Sequence, residues 1–335
     1  EQRLADDSQC PVNRLELGNL ALAWATSPHA PSDIHHGPEG DSLLVGHAIG
    51  DHGPLRAQDL LPAAGKPAVE PTGGYFLSIR RTAMGEVSVE VDLLGLFPVY
   101  YTELGKTLLA GSSGDLFRAY PLYEANLDLE GLAGILLTNG LVTNRTALRG
   151  VRRLEVGHRL VRLATGRVSE QPACRVRVEP ALPESEAETI RPGGQQALLD
   201  ALRRHQPSGT RAALLLSGGL DSRLLAGCLG QLDLPFTAVT LGAATDFEAR
   251  AASRVAEALD APFVLASAEP SVEQFAATAR RVARQEHLSN GFASLDARVS
   301  AEAAGKVSPL FWSGILLDDI MGGYAIRFAC TDGGA

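Results

Sequence analysis

Between Gln195 and Arg284 short apolar runs alternate with segments of helical spacing, and this alternation limits the possible folds more than any other feature. Helices are expected over Gln195–Arg204, Arg223–Leu232, Phe247–Leu259 and Val272–Arg284. Strands are expected over Arg211–Leu216, Phe236–Leu241 and Phe263–Leu265. Strands separated by helices of that length imply a parallel sheet covered on both faces, because a parallel pair needs a long crossover connection.

One junction in this pattern carries chemistry. The run Leu214-Leu215-Leu216 ends in Ser217-Gly218-Gly219-Leu220-Asp221-Ser222, and a helix follows. In a parallel sheet such a turn lies at the carboxyl end of a strand, where ligands bind. Two glycines let the backbone approach an anion closely. The helix start, near Ser222, aims free N–H groups and the positive end of its dipole at that anion. Ser217 and Ser222 add hydroxyls. Asp221 repels phosphate directly, so its presence implies a bridging divalent cation, most simply Mg²⁺. A Walker A loop would require Gly-x-x-x-x-Gly-Lys-Ser/Thr, which is not what stands here. The plainer alternative is a tight turn that uses small residues for packing.

The rest of the chain reads differently. Runs at Leu43–Gly46, Tyr75–Ile79, Val87–Val91 and Leu108–Ala110 are strand-like, with turn signals between them. Asp128–Leu137 has helical spacing with Asp128 as the expected N-cap, and Val151–Val168 returns to strand. Val178–Gly194, rich in proline and carboxylates, reads as a linker. The division expected is 1–180, a linker over 181–194, and 195–335.

Composition excludes several classes. With 45% hydrophobic and 21% charged residues over 335 positions, the chain can bury cores for two domains and is not a disordered polyanion binder. A net charge of −9 argues against a nucleic-acid partner. No apolar run is long enough to span a bilayer, and residues 1–9 lack a signal-peptide core, so a cytoplasmic location is expected. Cys10, Cys174, Cys228 and Cys330 show no metal or disulfide spacing, and Cys228 reads as a buried thiol. His29, His35, His36, His47 and His52 are irregularly spaced among Pro and Gly and read as loop residues. Tyr100 and Tyr101 read as packing residues.

Four segments, in order, resemble the asparagine synthetase family, which includes the β-lactam synthetases and the lasso-peptide macrolactam synthetases. They are Asp92–Tyr101 (DLLGLFPVYY), Leu148–Arg159 (LRGVRRLEVGHR), Ser217–Ser222 (SGGLDS) and Ser313–Tyr324 (SGILLDDIMGGY). The resemblance implies an amino-terminal amidotransferase-like (Ntn-type) β-sandwich followed by a parallel α/β synthetase domain that holds ATP through a pyrophosphate (PP) loop. It implies that Ser217, Gly218, Gly219, Asp221 and Ser222 hold the pyrophosphate end of ATP. Leu215, Leu241 and Gly242 match positions lining adenine and ribose, Gly314 lies beside the nucleotide, and Asp246 belongs to a second loop near the pyrophosphate. Asp221 and Asp318 match the two Mg²⁺-holding carboxylates, and Glu286 matches a substrate-facing glutamate. The implied reaction adenylates a carboxylate, releases pyrophosphate and joins the acyl group to an amine.

Three departures shape the expectation. The family's glutaminase needs Cys-Gly at the start of the mature chain, whereas Glu1 opens this sequence and Cys10 precedes Pro11. An amine on the substrate itself is therefore expected, as in macrolactam or β-lactam closure, ahead of a glutamine- or ammonia-using asparagine synthetase. Ile315 and Leu316 stand where relatives carry a glutamate or tyrosine and a glycine, and an isoleucine relays no proton. The sequence ends at Ala335, before the helical portion that carries the relatives' catalytic lysine, so an incomplete synthetase domain is expected. The departures at Ile315 and the carboxyl end keep a non-catalytic nucleotide-binding scaffold as the reading from another class. The expected partner is a small molecule or peptide bearing a carboxylate and an amine; a partner protein or a second copy of the chain is left open.

Overall fold

The computed structural model describes residues 10–26, 30–63, 66–138, 140–173, 187–206, 211–266, 271–286, 298, 301–302 and 304–314. The chain divides into two units, 1–181 with 276–295, and 182–275 with 296–335.

The first unit is built from antiparallel sheets. Its strands are β1 (Val12–Leu17), β2 (Leu20–Ala25), β3 (Ser32–Gly37), β4 (Gly40–Gly50), β5 (Gly53–Pro54), β6 (Gly73–Thr82), β7 (Val87–Val91), β8 (Tyr100–Leu104), β9 (Thr107–Gly111), β10 (Arg152–Arg153), β11 (His158–Arg162) and β12 (Val168–Pro172). The large sheet runs β12-β11-β7-β6-β4-β3 with β5 on β4; β10-β8-β9 form a second sheet and β1-β2 a separate hairpin. Val89, Val91 and Leu160 of the large sheet share a buried cluster with Tyr101 of the small one. The other face of β6 and β4 buries Phe76, Leu44 and Ala48 with Ala57 and Leu60. That is the period-two logic of a strand, which sends alternate residues to opposite cores.

Two of the segments that carry the family resemblance hold this unit together. Asp92, 2% exposed, accepts from the Leu96 and Phe97 N–H groups at 2.9 and 2.7 Å. Gly95 turns the chain with φ +62°, a conformation that glycine adopts at little cost. The Leu148–Arg159 segment docks onto the same turn: Arg153 donates to the Gly95 carbonyl at 3.0 Å and Leu154 N–H to Val99 at 2.8 Å. Tyr100 and Tyr101 are both buried, as packing residues are. Among the described residues of this unit, α1 (Asp115–Arg118) is a single turn and α2 (Leu129–Thr138) starts at the expected N-cap. The Asp128 carboxylate accepts from Gly131 N–H at 3.0 Å and from Arg145 at 2.7 Å, an N-cap tied to an ion pair.

The second unit confirms the strand–helix alternation. In order it contains α3 (Ala187–His205), β13 (Ala212–Leu215), α4 (Leu220–Gln231), β14 (Phe236–Leu241), α5 (Phe247–Ala258), β15 (Phe263–Ala266), α6 (Val272–Glu286) and β16 (Phe311–Trp312), with the later part of α6 grouped with the first unit. The sheet order is β15-β14-β13-β16, and every pairing is parallel. One face of β13 buries Leu214 and Leu216 against Leu199 and Leu202 of α3, Leu225 and Leu229 of α4 and Ala252 of α5. Ala213 faces the other way, with Val239 and Ala304. Both faces are therefore covered, which is why the strand reads as an uninterrupted apolar run.

Two helix starts differ from expectation. Helix α3 begins at Ala187 instead of Gln195, running through part of the stretch read as a linker and including Pro192. Helix α4 begins at Leu220 instead of Arg223, so Asp221 and Ser222 occupy its first turn. The reason lies in Gly219: it is extended (φ −69°, ψ 168°) as the N-cap, and its carbonyl accepts the first helical bond from Arg223 N–H.

Candidate active site

The strand order places a cleft at a predictable point. Strands β14 and β15 extend the sheet to one side of β13, and β16 lies on the other, so the order reverses between β13 and β16. In open α/β sheets ligands bind at the carboxyl ends of the strands at such a reversal. A cavity of about 560 Å³ lies there, walled by the ends of β13 and β14, the 217–222 turn and Ser313-Gly314 after β16. That volume is within the range of about 300–1000 Å³ typical of ligand sites.

The turn itself is tightly bonded. Leu216 N–H donates to Val239 and fixes the end of β13 against β14, and buried Thr240 donates through Oγ1 to the Leu216 carbonyl at 2.6 Å. Gly218 then reverses the chain at φ +76°, so close to α5 that a Cβ there would come 2.7 Å from the Ala251 Cβ. Ser217 Oγ lies 3.1 Å from Ser222 Oγ and accepts from Gly219 N–H at 3.3 Å. Ser222 Oγ also donates to the Gly219 carbonyl at 3.2 Å. The N–H groups of Leu220, Asp221 and Ser222 open α4 and precede its first intrahelical donor. Together with the helix dipole they make an anion-binding end. Gly314 packs so closely on this helix start that a Cβ would lie 3.2–3.3 Å from Asp221 and Ser222.

Of the residues singled out in the sequence, Leu215, Ser217, Gly219, Asp221, Ser222, Leu241 and Gly314 line this one cavity. Gly218 shapes the turn from behind. Gly242 and Asp246 form a second turn. There Asp246 Oδ2 accepts from Ala243 N–H at 2.7 Å, while Gly242, at φ +130°, leaves room for that carboxylate. Asp246 is also the N-cap residue of α5, so the visible work of its side chain is to close the 242–246 loop. Glu286 is the last residue of α6. Asp318 and Ile315 lie outside the described residues.

Val239, Thr240, Glu248 and Leu220 also line the cavity and were not singled out. Thr240 and Val239 belong to the expected strand and needed only the pairing of β14 with β13. No sequence signal marks Glu248, which reaches the cavity because α5 packs behind Gly218. Asp221 has a structural role as well, since an acid in a first helical turn complements the dipole.

The donor chemistry suits a hard cation. Asp221 and Glu248 are among the residues lining a cavity that Ser217, Ser222 and Thr240 also line, and Mg²⁺ is usually held by one or two carboxylates together with substrate phosphates. Among the described residues no group of three or more His, Cys, Asp or Glu could hold a metal by itself. No helix among them is long and apolar enough to cross a membrane. Cys228 is buried in the core behind the turn, where burial pushes its thiol above the usual range.

Comparison with known proteins finds one family match. Residues 193–333 match the family model described as asparagine synthase. That match takes in the 217–222 turn, the 242–246 loop and Ser313-Gly314. No curated protein matches the chain in a sequence search.

Proposed function

Starting from residues 193–333 as an asparagine synthase-family domain, we propose that the protein is an ATP-dependent amide synthetase forming AMP and pyrophosphate. The observation that carries this reading is the convergence of the 217–222 turn, the end of β14 and Ser313-Gly314 on one cavity. The N–H groups that open α4, with the Ser217 and Ser222 hydroxyls, bind the β- and γ-phosphates. Leu215, Val239 and Leu241 give the base an apolar wall. Asp221, with Asp318 as the second carboxylate, would hold Mg²⁺, which when bound would supply positive charge at the pyrophosphate end of ATP.

The substrate carboxylate attacks the α-phosphorus, its oxygen–phosphorus bond forming as the bond to pyrophosphate breaks. An amine then attacks the acyl carbon, loses a proton and displaces AMP, leaving an amide. The protein contributes positioning and preorganised charge. Our reading makes the amine part of the same substrate, so that the product is a macrolactam or β-lactam, and it treats the amino-terminal unit as an amidotransferase-like domain without glutaminase chemistry.

Pyrophosphate release from ATP, Mg²⁺ and candidate carboxylates tests the proposal. Asp221→Asn and Asp318→Asn are each expected to lower it at least tenfold. Turnover indifferent to both refutes the metal assignment, and ADP in place of AMP refutes adenylation. The family match favours a second reading, asparagine formation from aspartate and ammonia, and aspartate-dependent pyrophosphate release would select it.

A further inference from the structure

Strand β6 of the amino-terminal unit is covered unevenly. On one face Phe76, Ser78 and Arg80 are 2%, 1% and 8% exposed, whereas Leu77 and Ile79 on the other face are only half-buried. A central strand ordinarily buries its apolar face more deeply than its polar one, because interiors close-pack with few voids larger than a water molecule. Leu77 and Ile79 instead border a cavity of about 350 Å³. Its wall also includes Leu20 and Leu22 from one face of β2, Val89 of β7 and Leu108 of β9. Two cations join this wall: Lys106, exposed in the β8–β9 turn, and Arg162, half-buried at the end of β11. Among the described residues neither side chain takes part in an ion pair or a hydrogen bond.

A concave apolar surface with a few polar groups is the usual form of a small-ligand site. We infer that this cavity binds a compact apolar molecule carrying one carboxylate, with the apolar part against Leu22, Leu77, Ile79 and Leu108 and the carboxylate on Lys106 and Arg162. Charge complementarity selects the anionic occupant: the chain carries net charge −9, yet the charged side chains in this wall are both positive. An apolar occupant also removes from water the strand face that the hairpin leaves half-covered. This site lies within the amino-terminal unit and stands independently of the reading of the 217–222 turn.

Isothermal titration of the full chain with decanoate, below its micellar concentration and without nucleotide, tests the inference. The expected result is saturable one-to-one binding, with decanol at least tenfold weaker. Lys106→Ala combined with Arg162→Ala is expected to weaken decanoate at least tenfold, and Arg149→Ala to leave it unchanged. Ala110→Phe, which fills the cavity from β9, should abolish binding while circular dichroism remains that of the wild type. If Ala110→Phe disturbs the fold, Leu22→Trp is the second filling variant. Absence of saturable binding overturns the inference, as it would if part of this chain fills the cavity. Equal affinity for decanol overturns the anionic assignment. Binding that survives both the charge and the filling variants overturns the location.

Discussion

Gly218 and Gly219 are adjacent and chemically identical, yet alanine at the two positions should have very different consequences. At Gly218 the backbone sits at φ +76°, which costs an L-residue roughly 1–2 kcal/mol. The new Cβ would also stand 2.7 Å from the Ala251 Cβ and 3.2 Å from Ala252 N and the Glu248 carbonyl. Both of the latter contacts are helix backbone, so α5 must shift, and overpacking of this kind costs about 1–3 kcal/mol. Gly218→Ala is therefore expected to lose on the order of 2–5 kcal/mol. At Gly219 φ is −69°, and the nearest atom to a Cβ is Ser217 Oγ, the end of a side chain, at 3.3 Å. There only the weaker N-capping of alanine counts, about 0.5 kcal/mol. Urea unfolding of both variants, followed by the carboxyl-terminal unit, measures the difference, and pyrophosphate release shows whether the turn still works. Because α5 carries Glu248 into the cavity, Gly218→Ala should lose activity even below its unfolding midpoint. Equal midpoints for the two variants would refute the reasoning, because they would mean that the left-handed turn against α5 is not what holds the loop.

Three further outcomes follow from the same geometry. Thr240→Val removes the 2.6 Å hydroxyl bond to the Leu216 carbonyl and should cost about 1–3 kcal/mol in urea unfolding, because a buried acceptor loses its side-chain donor. Asp128→Ala should cost about 1–2 kcal/mol through the lost cap of α2. The Arg145 hydrogen bond holds the Asp128 carboxyl below its ordinary value. Its stabilisation is therefore present above the unfolded value and is lost as pH falls through the folded one, and the variant should lack that acid-limb loss. Glu90 behaves oppositely: burial outweighs the neighbouring Arg80 and pushes its carboxyl up. Between the unfolded value and that raised folded value the native state binds more proton, so this group's contribution to stability falls as pH rises. Glu90→Gln, which keeps a partner for Arg80, should flatten that part of a melting-temperature profile recorded from pH 4 upward.

The carboxyl-terminal fold was largely legible because parallel strands buried on both faces must be apolar throughout and must alternate with helices. The expected Phe236–Leu241 strand is matched residue for residue, and the Phe247 helix start is also matched. Boundaries set by caps were harder to read. Gly219 ends the turn through an extended backbone rather than a side-chain cap, so the helix starts before its apolar rhythm does. In the amino-terminal unit the Asp92–Tyr101 motif could be quoted from the sequence. Its physical task of holding the turn through Asp92 and receiving Arg153 at Gly95 appears only when the 148–159 segment is brought beside it.

The sequence alone determined the parallel α/β character, the glycine–serine turn and the apolar strands behind it, since these depend on local spacing and residue type. Tertiary structure decided which atoms share a cavity. It set Glu248 and Thr240 beside Asp221, turned Asp246 toward its own loop, gave Gly218 and Gly219 separate duties and left the apolar face of β6 only half-covered. Contacts between residues distant in the chain depend on how sheets and helices pack, and packing is a property of the whole chain that no short window of residues encodes.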